Sequence, residues 1–507
     1  METEKADSTT DVTVGSLQSI SRGASLFIIG KIVLDMLELL LNFVLTRALG
    51  TSLYGVYAYA QTLVVIALVF TNLGSTAALL KFVPQYENDK PKQRFMVGLA
   101  YLTSFVASVT IAALLFLFAP VVTRYTLGDP LLTDVLRLFA ILLVFDTMAA
   151  VVTGTFRSLE RLEYSVFVNQ FVKPVVRLLA VGFALALGLS FYGLMASLVF
   201  ASAIVVAVAV YFFLTRFALT PSVRRSKTDT GDVFEYYNLS VPLVLKDAGG
   251  ILRSRVDVLM VGFFLSSTAV GIYNVTLLLA ALLALPLAGV NQLFPPVASR
   301  LHSKGDRENL NTIFSVVTRW AFTVSLYLAL VAVLYSREML GLFGEEFTAG
   351  VAVLAFFVVS QILNNAVGPS GYLLMISDHQ YVLLVNQWVF GVLNVALNYY
   401  FILEFGLVGA AFATATVSAL NNIARLVEIW YLEGLFPYTR AYLKPIFAGI
   451  GTAAAMYGVG FYLSGTAVVL LGGVIGLATY VALLYVLGVE QEDRAFLAAS
   501  TPLVSAK

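Results

Sequence analysis

Four polar side chains of the first apolar segment share one face of a predicted helix. Lys31, Asp35, Glu38 and Asn42 stand at positions i, i+4, i+7 and i+11, a spacing that aligns side chains along a helix. A charge at the centre of a bilayer costs about 2.5–3.5 kcal/mol on insertion scales, so lipid does not accommodate such a stripe. We expect this face to meet protein or water, where cations can hold an anionic group and carboxylates can carry a proton or a sodium ion.

A second charged stripe lies in the seventh apolar segment. Its polar positions, within one helix predicted over residues 237–264, are Lys246, Asp247, Gly250, Arg253, Arg255 and Asp257. Four of them, Lys246, Gly250, Arg253 and Asp257, repeat the spacing of the first stripe and share one helical face, whereas Asp247 and Arg255 do not. The two stripes admit a structural interpretation, because Lys31–Asp35 and Arg253–Asp257 are i, i+4 pairs that neutralise each other. The alternative is a hydrated central cavity, which the equivalent placement of the two stripes favours.

Two further segments align polar side chains on one face. The fifth carries Gln170, Lys173 and Arg177, with a kink expected at Pro174. The eleventh carries three amides at Gln387, Asn394 and Asn398. Lys173 is predicted either to line the cavity or to reach the cytoplasmic interface, whereas Arg177 lies deeper and is the better cavity residue. Asp146 is a single charge in an apolar segment, as is Arg319, and both are expected either to lie at the membrane interface or to pair between helices.

The predicted cavity is cationic by a small margin. Its candidate substrate-binding cations are Lys31, Lys173, Arg177, Lys246 and Arg253. The carboxylates that could couple transport to H+ or Na+, or serve only as counter-ions, are Asp35, Glu38, Asp247 and Asp257. The remaining polar candidates are Asn42, Gln170, Gln387, Asn394 and Asn398. A cationic interior suits a phosphate or pyrophosphate, which arginine grips with two parallel hydrogen bonds.

Several function classes find no support in the sequence. The chain has no cysteine and no Gly-x4-Gly-Lys-Ser/Thr loop, so thiol chemistry and a nucleotide-driven pump are not expected. Its histidines, His302 and His379, stand in separate loops without metal-site spacing, and no cofactor or metal is predicted. The net charge of +1 gives no case for nucleic acid. An enzyme is therefore not predicted.

Composition defines the elements that must position these residues. Of the 507 residues, 59% are hydrophobic and 12% are charged, against about 25% charged in soluble domains. Hydropathy predicts an all-α polytopic membrane protein of about fourteen transmembrane helices. Lysine and arginine cluster in alternate loops, which predicts that both termini are cytoplasmic. Predicted divisions are a polar tail at 1–16, a six-helix lobe at 17–215, a linker at 216–236, a second lobe at 237–432, two helices at 433–488 and a tail at 489–507.

The two predicted lobes share short sequence similarities. Leu49–Tyr57 matches Leu265–Tyr273 at an offset of 216 residues, with a glycine and a tyrosine in equivalent places. Val168–Gln170 and Val385–Gln387 match at an offset of 217. Two repeats in the same orientation predict pseudo-two-fold symmetry about an axis along the membrane normal.

These features resemble the polysaccharide-biosynthesis flippases, the Wzx-type members of the multidrug/oligosaccharidyl-lipid/polysaccharide exporter superfamily. The resemblance rests on the fourteen predicted spans, the motif Leu49–Tyr57 and the basic loop after the second span, and covers residues 18–488. It implies two lobes around a central cavity, and translocation of a polyprenyl-(pyro)phosphate-linked oligosaccharide across the cell membrane by alternating access. The alternatives are a multidrug antiporter of the same superfamily, a peptidoglycan-precursor flippase, and a membrane scaffold without transport activity.

Overall fold

A computed structural model describes residues 2–217, 219–222, 230–490 and 493 of the chain. Side chains are described from residue 31 onward, apart from those of residues 32, 230, 246, 252 and 253. Lys246 and Arg253 of the second predicted stripe therefore lie outside the described side chains. Every regular element in the described part is helical, which confirms the predicted all-α fold class.

The helices follow one another with short connections. The α-helices of the described residues are α1 (Glu2–Asn72), α2 (Ser75–Gln85), α3 (Lys90–Tyr125), α4 (Pro130–Ser158), α5 (Leu162–Val166), α6 (Lys173–Ala186), α7 (Phe191–Arg216), α8 (Thr230–Ser254), α9 (Val256–Phe264), α10 (Ser267–Ala281), α11 (Leu285–Ser303), α12 (Arg307–Leu334), α13 (Ser336–Phe343), α14 (Val351–Ala366), α15 (Ser370–Ile376), α16 (Gln380–Glu433), α17 (Leu443–Val459) and α18 (Gly473–Val486). Narrower 3-10 turns cover Leu282–Ala284, Glu345–Gly350 and Arg440–Tyr442, and wider π-helical turns cover Phe167–Val172 and Val468–Gly472.

Ten helical stretches among the described residues are long and apolar enough to cross a membrane. Two of them, Val33–Gln85 and Gln380–Glu433, contain 53 and 54 residues, whereas about 20 residues cross a bilayer. Gly50 breaks α1 at φ 70° and Gly406 breaks α16 at φ 58°, a region that glycine enters without a Cβ clash. Each long stretch therefore has room for two spans joined at a glycine. The polytopic membrane architecture is confirmed, and the total of fourteen spans stays a prediction.

Aspartate side chains define where α3 and α4 begin. The Asp89 carboxylate accepts a hydrogen bond from the backbone N–H of Lys92 at 3.1 Å, and Asp129 accepts one from Leu131 at 3.0 Å. Pro130 occupies the first helical position of α4, where its missing N–H costs nothing. Capping thus fixes the first turns of α3 and α4, and α4 contributes a residue to the candidate site.

The first of two compact units comprises Met36–Asn274 and Asn394–Leu407. Within it α4 packs against α2, α3 and α7, and α6 packs against α7. The described ends of the predicted linker belong to this unit, because Leu219 and Tyr236 are buried in a core cluster with residues of α2 and α3. Lys92 Nζ also lies 2.7 Å from Asp232 Oδ1. The described ends of the linker are thus fixed to α2 and α3.

The second unit comprises Met1–Asp35, Val275–Leu393 and Val408–Lys507. Within it α12 packs against α11, α14, α17 and α18. Arg319, in α12, donates two hydrogen bonds to the carboxylate of Asp493, at 2.7 and 2.9 Å. Arg319, the charge within the apolar part of α12, is therefore paired with Asp493 of the predicted C-terminal tail. The predicted lobe boundaries stay a prediction.

Candidate functional site

The stretch Leu162–Ala186 contains a change of helical pitch just before its central cation. Its π-helical turn covers Phe167–Val172, and the Lys173 N–H then donates to the Val168 carbonyl. Pro174 has no backbone N–H to donate to a carbonyl of the preceding turn. A π-helical turn accommodates the missing hydrogen bond. The kink expected at this proline stays a prediction, and the structure shows a π-helical turn immediately before Lys173.

Gln170 lies inside that wider turn and is half-buried. Of the three residues predicted to share one helical face, only Lys173 and Arg177 therefore lie on the same uninterrupted α-helix. Lys173 lies near the middle of Leu162–Ala186, so its side chain is at the centre of an apolar stretch and not at its end.

Asp146 of α4 brings the two cations of α6 together. Its Oδ2 atom accepts a hydrogen bond from Lys173 Nζ at 3.2 Å and another from Arg177 Nη2 at 3.0 Å. The Asp146 side chain is 3% exposed, that of Arg177 14% and that of Lys173 30%. One buried carboxylate thus serves two cations, and the cluster carries one formal positive charge in excess. We call Asp146, Lys173 and Arg177 the cation cluster.

The cation cluster lies on the side of α6 away from its most exposed apolar residues. Leu179 and Phe183 are 66% and 67% exposed, as expected for side chains that contact lipid. Arg177 is two positions from Leu179, about 200° around the helix. Lys173 is six positions from Leu179, about 240° around. Arg177 therefore lies on the side of α6 opposite Leu179.

The first predicted stripe divides into a pair, an exposed acid and a buried amide. Lys31 Nζ lies 3.1 Å from Asp35 Oδ1. These two residues therefore form one of the i, i+4 pairs in which opposite charges neutralise each other. Glu38 is exposed. Asn42 is buried, and its Oδ1 atom accepts a hydrogen bond from the Tyr54 hydroxyl at 2.8 Å.

The second stripe does not lie on one continuous helix. Arg255, with φ −138° and ψ −11°, ends the helical geometry between α8 and α9, so the helix predicted over 237–264 is wrong in its continuity. Asp257 lies beyond that break, is 2% exposed and accepts a hydrogen bond from the Tyr273 hydroxyl at 2.8 Å. Its other oxygen accepts the N–H of Val258, the next residue in the first turn of α9. Asp247, in α8, is exposed.

The amides of α16 divide between the two compact units. Asn394 and Asn398 are buried in the first unit, where Asn398 Nδ2 donates to Asn394 Oδ1 at 2.8 Å. Gln387 belongs to the second unit and is half-buried. The structure therefore brings together two of the three amides.

The two copies of the repeated motif contact each other within the first unit. A Cβ atom added at Gly55 would overlap the Ser267 carbonyl oxygen, and one added at Gly271 would overlap the Thr51 carbonyl oxygen. Gly55 and Gly271 are equivalent in the repeat, as are Thr51 and Ser267, so the contact is reciprocal. Small residues of this kind allow helices to approach closely in membranes. We call these four residues the repeat contact.

Sequence reasoning missed several of these relationships. Asp146 was expected either at the membrane interface or in a pair between helices, and a single sequence does not show which helix supplies a partner. Tyr54 and Tyr273 had a visible signal, because each lies in the repeated motif and follows a segment with a buried polar residue. Gly55 and Gly271 had the clearest signal, since both occupy the same place in the motif.

Comparison with known proteins defines the class of this chain. The sequence model described as "Polysaccharide biosynthesis protein" matches residues 20–302, more than half of the chain. The MatE model matches residues 242–400. The chain therefore belongs to the polysaccharide biosynthesis protein family, as the resemblance predicted.

Curated relatives come from an archaeon and a bacterium. The probable low-salt glycan biosynthesis flippase Agl15 of Haloferax volcanii is 30% identical over 192 residues, which are 37% of this chain and 40% of that protein. The probable flippase AglR of the same organism is 24% identical over 80% of this chain and 83% of its own length. The teichuronic acid biosynthesis protein TuaB of Bacillus subtilis is 26% identical over 41% of this chain and 44% of that protein. The chain thus spans less than half of the first of these relatives and most of the second.

Solved structures share the fold at low sequence identity. The lipid II flippase MurJ in an inward closed conformation has a TM-score of 0.75 at 12% identity, over 91% of this chain and 98% of MurJ. An inward-facing multidrug resistance transporter of the MATE family has a TM-score of 0.66 at 13% identity, over 79% of this chain and 96% of its own. The chain therefore shares the helical membrane fold of MurJ and of the MATE-family transporter.

Proposed function

We propose that this protein moves a lipid-linked oligosaccharide across the cytoplasmic membrane by alternating access, for the synthesis of cell-surface polysaccharide or glycoprotein glycans. The observation that carries the proposal is the cation cluster, where Lys173 and Arg177 share the Asp146 carboxylate. A buried site with surplus positive charge suits the phosphate or diphosphate that joins such a glycan to its polyprenyl carrier. The Haloferax relatives, each named as a probable flippase, support the same function.

Alternating access requires contacts that separate and re-form. The repeat contact is suited to this, because it consists of small residues and backbone without a large interlocking side chain. By the distribution of lysine and arginine, the loops that precede the two motif helices are external and both termini are cytoplasmic. The repeat contact would then close the external side of the pathway.

Two of the four carboxylates that could couple transport to an ion are exposed, and this makes them the better candidates. Asp35 pairs with Lys31, and Asp257 is buried with the Tyr273 hydroxyl on one oxygen. Glu38 and Asp247 are exposed and therefore accessible to H+ or Na+. We propose Glu38 and Asp247 as the first residues to test for ion coupling.

The proposal is tested by deleting the gene and locating the lipid-linked glycan that accumulates. We expect accumulation on the cytoplasmic side, reversed by the wild-type gene but not by an Arg177→Ala variant that still inserts into the membrane. Arg337→Ala is the matched control, because the Arg337 side chain is 75% exposed, and it should complement fully. A deletion strain without such accumulation would contradict transport and favour a scaffold.

A multidrug antiporter is the second candidate, and the MatE match over residues 242–400 favours it. Such a transporter would confer resistance to cationic drugs when overproduced, and resistance would depend on acidic residues. The surplus positive charge of the cation cluster argues for an anionic substrate instead. Measuring drug resistance in the same deletion and overproduction strains separates the two candidates.

A further inference from the structure

The carboxylate of Asp493 is held by three donors of α12. Arg319 donates from Nη1 at 2.7 Å and from Nη2 at 2.9 Å, and the Trp320 indole N–H donates at 2.8 Å. All three residues belong to the second unit. A planar guanidinium fork with one further N–H can receive an oxyanion, and it binds a phosphate with the same geometry as a carboxylate. The tail therefore supplies the anion in this structure, whereas the donors belong to α12.

Contacts along α12 place these donors at the level of the connection that precedes α17. The Ser315 hydroxyl, one turn before Arg319, donates to the Pro437 carbonyl at 2.6 Å. The Phe322 ring, three residues after Arg319, stacks on Tyr442 with ring centroids 4.6 Å apart. Irregular backbone of this kind does not contact lipid hydrocarbon. Its position beside Arg319 therefore indicates that the guanidinium lies near the edge of the bilayer, where phospholipid headgroups are found.

Exposed apolar side chains lie where the tail begins. Tyr485 and Val486, at the end of α18, are 76% and 79% exposed, as expected for side chains that contact lipid. Shortly after them the Gly488 carbonyl accepts a hydrogen bond from Lys444 Nζ at 2.7 Å, and Lys444 also pairs with Glu490. Because α12 packs against both α17 and α18, a lipid that contacts the end of α18 can present its headgroup to α12.

Arg319 requires an anion whether or not the tail is docked. Its side chain is 10% exposed, and the neighbouring Trp320 ring packs against the apolar core of the second unit. Departure of Asp493 would leave this buried charge without a counter-ion, which is strongly unfavourable. An anion of matching shape that takes the place of Asp493 removes that penalty.

We infer that Arg319 and Trp320 form a binding site for the phosphate of an anionic phospholipid, and that the Asp493 carboxylate occupies this site in the present conformation. The tail and the lipid compete for the same three donors, so docking of the tail depends on the charge of the surrounding phospholipids. The site lies in the second unit, whereas the cation cluster lies in the first. The inference therefore goes beyond the proposed function and does not depend on it.

Thermal unfolding of the purified full-length protein in detergent tests the site, with dioctanoyl phosphatidylglycerol as the probe. A ligand that binds only the folded state raises the apparent Tm, and a tighter ligand raises it more. Asp493→Asn removes the competing charge, so it should bind the probe about tenfold more tightly than the wild type and show the larger rise. Arg319→Gln/Asp493→Asn should show no rise. Glu345→Gln is the matched control, because it frees the exposed Arg337 instead of a buried arginine, and it should respond as the wild type does.

Other responses to the probe would overturn the inference. Equal rises in Asp493→Asn and the wild type, or a rise that persists in the double variant, would show that the phospholipid binds elsewhere. A similar rise with zwitterionic dioctanoyl phosphatidylcholine would show that the headgroup charge is not recognised. Inorganic phosphate that raises the Tm of Asp493→Asn as much as the phospholipid would identify a free anion as the ligand.

The test also covers an Asp493→Asn variant that does not fold by itself. This variant is then purified with phosphatidylglycerol or with phosphatidylcholine present throughout. Recovery of folded protein with phosphatidylglycerol alone supports the site, because the lipid phosphate then replaces the missing carboxylate. Recovery with both phospholipids, or with neither, overturns it.

Discussion

The hydroxyl oxygens of Ser52 and Ser267 lie 3.0 Å apart, although the two residues are 215 positions apart in the chain. Ser52 belongs to the first copy of the repeated motif and Ser267 to the second. Their hydrogen bond lies at the repeat contact, where Gly55 meets the Ser267 carbonyl. The two copies of the motif therefore recognise each other through backbone, glycine and one pair of hydroxyls.

A disulfide between these positions should lock the repeat contact. The chain has no cysteine, so Ser52→Cys/Ser267→Cys would introduce the only two thiols. Side-chain oxygens at hydrogen-bonding distance indicate that the β-carbons can approach as a disulfide requires. We expect oxidation to abolish complementation of the deletion strain and reductant to restore it. Each single cysteine variant is the control, and a cross-linked variant that still complements would show that the contact need not open.

Alanine at the repeat contact should push the two motif helices apart. Gly55→Ala places a methyl group on the Ser267 carbonyl oxygen, and overpacking of this kind costs about 1–3 kcal/mol. The apparent Tm of the purified protein should fall. Gly182→Ala, in α6, is the control because its new methyl group would meet nothing within 4 Å. Equal Tm values for Gly55→Ala and Gly182→Ala would contradict the close approach.

The two motif tyrosines should differ in their contribution to stability. Tyr273 donates to the Asp257 carboxylate and Tyr54 donates to the Asn42 amide, both at 2.8 Å. Hydrogen bonds to charged groups contribute about 1.5–3 kcal/mol, and neutral ones about 0.5–1.5 kcal/mol. Tyr273→Phe should therefore lower the apparent Tm more than Tyr54→Phe. The opposite order would argue that Asp257 is neutral in the folded protein.

Asp493 should stabilise the second unit through Arg319. The two side chains are 20% and 10% exposed, and breaking a buried pair by removing one partner costs about 3–5 kcal/mol. Asp493→Asn should therefore lower the apparent Tm clearly, and Arg319→Gln/Asp493→Asn should recover part of the loss. Glu345→Gln is the control, because the Arg337–Glu345 pair is 75% and 83% exposed and should contribute little. Similar Tm values for Asp493→Asn and Glu345→Gln would refute the stabilising role.

The sequence predicted the class of fold and the repeat because both leave local signals. Apolar segments of membrane length and the paired motifs Leu49–Tyr57 and Leu265–Tyr273 can be read residue by residue. The helix break at Arg255 could not be read in this way, since an apolar run gives no sign of where its backbone departs from helical geometry. Consequently Asp257 was grouped with Arg253, whereas the structure places it beyond the break with Tyr273.

The candidate site was predicted only in part. Lys173 and Arg177 were aligned correctly because they are four residues apart on one helix. Their link to Asp146 depends on how α4 and α6 both pack against α7, which helical periodicity does not specify. The same packing directs Lys173 towards α4, since its amine lies 3.2 Å from a carboxylate in the middle of that helix.

Translocation in reconstituted vesicles tests the central claim most directly. The purified protein is placed in liposomes that contain a fluorescent polyprenyl-diphosphate oligosaccharide, and the fraction reaching the opposite leaflet is measured with a membrane-impermeant quencher. We predict rapid redistribution with the wild-type protein, none with Arg177→Ala, and none with oxidised Ser52→Cys/Ser267→Cys until reductant is added. Redistribution no faster than in protein-free liposomes, or equally fast in all three proteins, would contradict the account.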